Sequence, residues 1–420
     1  MDTIFALSSG RPPAAIAVIR ISGPSAHDAA RQIAGDLPEA RHAAVRELRD
    51  PVNHDLLDEA LVLRFDAPAS STGEDCVEFQ CHGGRAVVDG VSRALGAIPG
   101  LRPALPGEFT RRAFENGRID LTEAEGLADL IEAETQLQRK AALALAEGGL
   151  RAQIAEWQER LLILSAIAER AIDYDEDDAA PEAELSLGMK SLAAELTGWL
   201  ERPRVELLKD GIRVVIAGPP NAGKSSLLNV IAGDDRAIVT AVPGTTRDHI
   251  DVPIAVAGVP ILLTDTAGLR ETDDTVEAIG VRRSQHLVEA ADILVWLGDA
   301  DAAPDHIRTI PVHARADVRG PAPVGSLSVS AKTGEGVGSL LGEIGRKAAS
   351  LLPAEGVVAL NRRQSLHLAE AADALSSPGK DVVLVAEGLR LARSAFDRLT
   401  GRAGVEDVFD ALFSRFCLGK

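Results

Sequence analysis

The chain has 420 residues, enough for two to four domains, and its 46% hydrophobic and 25% charged content is that of an ordinary globular protein. A formal net charge of −19 excludes a surface that grips nucleic acid all over, and 3% aromatic residues leave little for a base-stacking platform. Work on RNA would need a local basic patch or a partner that brings one. The longest apolar run, LLILSAIA at 161–168, is too short to cross a bilayer, and the N-terminus lacks the basic start and apolar core of a signal peptide. Cys76, Cys81 and Cys417 are too few and too scattered for a disulfide framework, so the expected compartment is the cytoplasm, with no membrane partner.

Residues 1–117 mix short β-rich runs (AAIAVIRI, EALVLRF, CVEFQCHGG) with Pro/Gly turns and are expected to form an α+β domain. From 118 the period changes. DLTEAEGLADLIEAETQLQRKAALALAEGGL and RAQIAEWQERLLILSAIAERAI carry apolar residues at helical spacing on either side of a Gly-Gly pair, the pattern of an α-hairpin. An acidic, solvated loop (DYDEDDAAPEAE) should follow, then a helix to about 208. Residues 209–348 open on the buried-strand run GIRVVIAG and alternate strand and helix signals, an α/β domain of roughly 140 residues. Helices return over 349–420. The economical arrangement is one helical domain, 118–208 with 349–420, interrupted by the inserted α/β domain.

GPPNAGKS, Gly218 to Ser225, fits G-x-x-x-x-G-K-[ST] between an expected strand (212–217) and a helix starting near Ser225. Loop N–H groups of Asn221, Ala222, Gly223, Lys224, Ser225 and Ser226 can cradle phosphates, Lys224 can bridge the outer two, and Ser225 can hold Mg²⁺. The stretch 240–249 contains Thr240, Ala241, Val242, Pro243, Gly244, Thr245 and Thr246, a segment suited to a switch loop in which Thr246 completes the Mg²⁺ shell. Asp265, Thr266, Ala267 and Gly268 form the DTAG loop that senses a γ-phosphate, but the next residue is Leu269, which can neither donate nor accept a hydrogen bond to the attacking water. Ser330, Ala331 and Lys332 resemble the loop that meets the guanine oxygen. The expected Asn-Lys-x-Asp appears as Ala314-Arg315-Ala316-Asp317, where Asp317 can still accept from guanine and the Arg315 stem can lie on the base, while Ala314 cannot replace the amide. These features favour GTP over ATP. Between the strand at 291–298 and the next near 308 there is little room for a crossover helix, which should be cut short.

The P-loop, GTTRD, DTAGLRE, the split helical domain, the terminal FCLGK and the N-terminal stretches VIRISGP, TGEDCVEFQCHGG and PGEFTRRAFENGRIDLTEAEGLADLIEA together resemble the MnmE (TrmE) family of bacterial tRNA-modification GTPases, over nearly the whole chain. The resemblance implies a multidomain α/β fold: an N-terminal α+β domain like tetrahydrofolate-binding domains, a discontinuous helical domain and an inserted Ras-like P-loop G domain. It implies a homodimer built through the N-terminal domain, joined with the flavoprotein MnmG in a heterotetramer, with the FAD on that partner. The pair would install a 5-carboxymethylaminomethyl or 5-aminomethyl group on the wobble uridine of certain tRNAs, using a tetrahydrofolate derivative as one-carbon donor. Independently, GEGVGS fails G-x-G-x-x-G at its last position, so this chain lacks the dinucleotide fingerprint.

Family members with an apolar residue after DTAG resemble GTPases activated by K⁺, a cation that can offset charge developing on the phosphates where no arginine finger is supplied. Asn221, Thr240, Val242 and Thr245 are the K⁺ candidates, with a loop-stabilising Asx residue as the lesser reading of Asn221. Glu277 matches the family glutamate that acts through a bridging water and would join Lys224 as a catalytic residue. By sequence alone it is also an ordinary helix-start glutamate, with Arg247 and Arg270 as fallback charge stabilisers. The resemblance places Arg20, Glu78, Arg118 and Lys420 at a folate pocket and carries Cys417 there as a catalytic thiol, where the bland alternative is a frayed tail. A metal site at Cys76, Cys81 and His82 is disfavoured by spacing and the want of a fourth ligand. Two other readings stay open: a regulatory switch for ribosome or RNA assembly without modification chemistry, and a folate-dependent methyltransferase with an inactive G domain.

Overall fold

Alternation of apolar and polar residues in IAVIRIS and CVEFQCH suits strands with two different faces, and a mixed sheet forms from them. The computed structural model describes residues 2–173, 180–203, 205–234, 237–239, 251–266, 285–353, 358–376, 381–403, 412–414, 416 and 419. They fall into two compact units, 1–128 with 146–161 and 393–420, and 129–145 with 162–392.

In the first unit, β1 (Thr3–Leu7), β2 (Ile16–Ser22), β3 (Ala43–Arg49), β4 (Leu56–Phe65), β5 (Cys76–His82) and β6 (Leu101–Pro103) form a sheet in the order β3-β4-β5-β2-β1-β6. Every pairing is antiparallel except β1 with β6. Helices α1 (Ala26–Ala34) and α2 (Arg85–Gly96) cover one face, burying Ile19, Ile21, Val77 and Phe79 against Ala30, Ile33, Val91 and Leu95. On the other face Phe109, from α3 (Glu108–Glu115), packs with Ile4 and Ala104. Helix α4 (Leu121–Glu132) starts with a capping box: Glu123 N–H donates to Asp120 Oδ1 at 2.9 Å and Asp120 N–H donates to Glu123 Oε2 at 2.7 Å. Its Leu121 and Ala124 pack on Leu412, Phe413 and Phe416.

The stretch expected as one helix before the Gly-Gly pair is broken into α4 and α5 (Gln136–Ala146). The break is a second capping box, in which Gln138 Oε1 accepts from Thr135 N–H at 2.8 Å and Gln138 N–H returns a bond to Thr135 Oγ1 at 3.2 Å. Helix α6 (Gly149–Asp173) follows. Helix α7 (Ala180–Leu200) ends before Pro203, eight residues short of the expected limit of 208, and a separate turn, α8 (Glu206–Lys209), leads on.

In the second unit, β7 (Ile212–Ala217), β8 (Ala237–Val239), β9 (Asp251–Val256), β10 (Val259–Asp265), β11 (Ile293–Trp296), β12 (Thr309–Ala314) and β13 (Leu327–Val329) form a sheet in the order β13-β12-β11-β7-β10-β9-β8. The five strands from β13 to β10 run parallel, and β9 turns the edge antiparallel. Helices α9 (Lys224–Ala232) and α10 (Val337–Ala349) bury Leu228, Ile231, Leu340 and Ile344 on one face. The β11–β12 crossover holds only a 3₁₀ turn, Ala300–Ala302, as its shortness predicts. Helix α11 (Arg362–Ser376) packs on α7, and α12 (Val382–Thr400) closes the helical segment. Val205 N–H donates to Leu360 O at 3.2 Å, tying together the two chain ends that flank the α/β portion. No helix among the described residues is long and apolar enough to cross a membrane.

Candidate nucleotide site and a second charged face

Strand β7 delivers the chain to Gly218, whose φ of 155° and closeness to the neighbouring strand's end require glycine: a Cβ there would sit 3.0 Å from the Leu297 carbonyl oxygen. Gly223, at φ 97°, turns the chain into α9 without a side-chain cap, so the first-turn N–H groups at Lys224, Ser225 and Ser226 are left for an anion. Lys224 Nζ donates to Gly218 O at 2.9 Å and Pro219 O at 3.0 Å, which holds the ammonium over the loop.

Parallel pairing of β7 with β10 sets Asp265 opposite Ile216. Ser225 Oγ consequently donates to Asp265 Oδ2 at 2.6 Å, and Thr266 Oγ1 donates to Ile216 O at 3.1 Å. Asp265 is buried, so this pair puts two hard oxygens in a sheltered place, the donor set that suits Mg²⁺. Asn221 has φ 61°, a conformation asparagine tolerates better than most residues. Its side chain makes no Asx hydrogen bond among the described residues.

Beside the loop is a cavity of about 360 Å³ with Asn221, Ala222, Gly223 and Ser226 on one side and Arg315, Asp317, Ala331 and Lys332 on the other. Ser330 is fully buried and does not line it. Its Oγ instead donates to Asp317 Oδ1 at 2.8 Å, orienting the carboxylate. Ala314, already marked by its motif, lines it too, with Leu227, Val318 and Val329, an apolar set that sequence reasoning did not pick out. Thr240, Ala241, Val242, Pro243, Gly244, Thr245, Thr246, Ala267, Gly268 and Glu277 lie outside the described residues, as do Cys417 and Lys420.

The folate candidates belong to the first unit. Strand register places Arg20 opposite Glu78, and Arg20 Nε meets Glu78 Oε1 at 2.8 Å on the sheet face away from α1 and α2. The Arg20 guanidinium lies 5.5 Å from the Phe109 ring centre. The Arg118 stem lies against Gly73, where a Cβ would be 3.1 Å from Arg118 Cγ. The same face carries a charge network that sequence reasoning missed. Buried Arg112 reaches Asp2 at 2.7 Å, Glu108 at 3.1 Å and Glu74 at 3.2 Å, and Ser22 Oγ donates to Glu74 at 2.8 Å. Arg102 binds Glu108 at 2.6 Å and also pairs with Asp2. Burial pushes Glu108 up, but hydrogen bonds from Arg102, the Leu105 N–H and Arg112 outweigh it and hold its carboxyl below the usual range.

Cys76 and Cys81 are odd-numbered steps apart on β5 and so face opposite sides of the sheet, and exposed His82 bonds Asp58 at 2.8 Å. Burial raises both thiols to about 12, so neither is a ready metal ligand. Gly419, at φ 93°, runs against β1: a Cβ there would be 2.1 Å from Leu7 O.

A glycine loop opening onto a helix start, a sheltered Ser–Asp pair at adjoining parallel strand ends and a carboxylate-bearing cavity beside them define a class, the P-loop nucleotide-binding proteins built as GTPases. The family described as GTP-binding protein TrmE N-terminus matches residues 3–118, and the MnmE helical domain matches residues 121–417. The tRNA modification GTPase MnmE of Erythrobacter litoralis is 52% identical over 425 residues, covering 100% of both chains. That of Rhizorhabdus wittichii is 52% identical, covering 100% of this chain and 97% of the relative, and that of Novosphingobium aromaticivorans is 49% identical over 100% of both. The chain belongs to the MnmE family of tRNA modification GTPases, and as such is a GTP hydrolase.

Proposed function

We propose that this protein is a K⁺-activated GTPase that acts with a flavoprotein partner, MnmG, to modify carbon 5 of the wobble uridine of certain tRNAs with a tetrahydrofolate-derived one-carbon unit. It works in the cytoplasm as a homodimer, joined to the partner in a heterotetramer. Residues 1–117 form the folate and dimer domain, 118–208 with 349–420 the helical domain, and 209–348 the inserted G domain.

The observation that carries the nucleotide half is the Ser225–Asp265 pair beneath the P-loop, with Asp317 held by Ser330 across the adjoining cavity. Ser225 and Thr246 would hold Mg²⁺, and Asp317 would accept from guanine. Leu269 cannot orient water, so Glu277 takes that role through a bridging water. Asn221, with the Thr240, Val242 and Thr245 segment, would hold K⁺, which when bound supplies positive charge beside the β- and γ-phosphates. Arg20, Glu78, Arg118 and Lys420 would hold the folate. A carboxylate suits the pterin N–H donors and the cations suit its glutamate tail. The short gap between Gly419 and the Leu7 backbone supports placing Cys417 and Lys420 near the same sheet.

The test is deletion of the gene followed by complementation, with nucleoside analysis of wobble uridine. Loss of the C5 substituent on deletion, restored by the wild-type chain and not by Glu277→Ala, is expected. An unchanged nucleoside profile would favour a regulatory switch instead.

A further inference from the structure

The cavity beside the P-loop offers an uneven set of hydrogen-bonding groups. Guanine presents donors on its N1/N2 edge and acceptors at O6 and N7. Asp317 supplies an acceptor-only carboxylate, fixed by Ser330 Oγ at 2.8 Å. The Ala331 N–H donates to no other described residue and is open to O6. Ala314 ends β12, is 6% exposed and lines the same cavity, yet brings only a methyl group. The Arg315 stem runs alongside the P-loop, its Cγ 4.0 Å from where a Cβ on Gly223 would lie, and can cover the face of a base held in the cavity.

We propose that this cavity reads the N1/N2 edge and O6 of a guanine nucleotide but leaves N7 unread, with Ala314 the residue that sets this specificity. The inference rests on the guanine reading given above. A site built to bond a group rejects the analogue lacking it, because the site's own polar atom is left unpaired, whereas a methyl group has nothing to leave unpaired. Guanine nucleotides with carbon at position 7 are therefore full ligands of this protein.

Calorimetry on the full chain with GDP, 7-deaza-GDP and ADP, in the wild type and in Ala314→Asn, tests this. GDP and 7-deaza-GDP should bind within about twofold of each other in the wild type. In Ala314→Asn, GDP should tighten by about threefold to tenfold, with 7-deaza-GDP unchanged. Weaker binding of 7-deaza-GDP than that by the wild type, with GDP still preferred to ADP, overturns the inference alone and assigns N7 to Asn221 or Arg315. Equal binding of GDP and ADP overturns the guanine reading and the inference with it. The wild-type comparison decides even where the variant fails to fold.

Discussion

The nucleotide loop of the second unit and the charged face of the first unit's sheet present polar groups by opposite means. In the loop, backbone does most of the work: Gly218 and Gly223 take conformations open to glycine, and N–H groups at the start of α9 are left for phosphates. On the charged face, side chains do it: Arg20 and Glu78 pair across two strands, and Arg112 holds three carboxylates from separate segments. Backbone recognition demands particular residues at fixed offsets and leaves a readable string. Side-chain recognition is assembled by strand register, and no local spacing announces it.

The largest effect that would sharpen this contrast is expected at Arg112. It is 6% exposed, and Arg112→Ala would strand Glu74 without its cation and leave Glu108 to Arg102 alone, at a cost of about 3–5 kcal/mol. Urea unfolding followed by Trp157 emission, from the same unit, measures it, and a loss under about 1 kcal/mol would mean that water screens the network. Next comes Glu277→Ala, expected to lower kcat about a hundredfold while leaving GTP affinity nearly unchanged. Steady-state turnover with a separate binding titration checks it, and normal turnover would return Glu277 to an ordinary helix-start residue.

A smaller effect concerns pH. Hydrogen bonding to Arg102 leads in holding Asp2 below its ordinary value, and Glu108 is also lowered, its burial being outweighed by Arg102 and its other donors. Carboxyls with lowered folded pKa values stabilise the fold above their unfolded values, and that stability is lost as pH falls through the folded ones. The first unit should therefore loosen in acid below about pH 4, the ordinary carboxylate range. Asp120 has the opposite sign, since burial raises it and protonation relieves it, which softens the loss. An acid titration of Trp157 emission in the wild type and in Glu108→Gln separates the contributions, and coincident curves would exclude Glu108 from the transition.

Much of the α/β portion was legible because its motifs sit on apolar strands: β7, the helix after the loop and the shortened β11–β12 crossover all stand where the sequence put them. The helical portion was less so. Apolar periodicity runs on through Ala133-Glu134-Thr135, and only the T-x-x-Q capping box at Thr135 and Gln138 reveals the break between α4 and α5. Pro203 carried the signal that α7 could not reach 208. At the site, Asp317 was recognisable from its motif, but the role of Ser330 in holding it depends on β12 and β13 lying side by side. Arg20 and Glu78 came from family resemblance alone, and their partner Phe109 comes from a helix far along the chain. The Asp2–Arg102–Glu108–Arg112–Glu74 network joins residues whose proximity only the folded sheet creates.

In the function proposed, a monovalent cation at Asn221 replaces an arginine finger in a GTPase whose DTAG loop is followed by Leu269. The direct measurement is GTP turnover in KCl and in NaCl at matched ionic strength, for the wild type and Asn221→Ala. Much faster hydrolysis in K⁺ is expected for the wild type and a flattened dependence for the variant, with nucleotide binding kept in both. Equal wild-type rates in the two salts would contradict it.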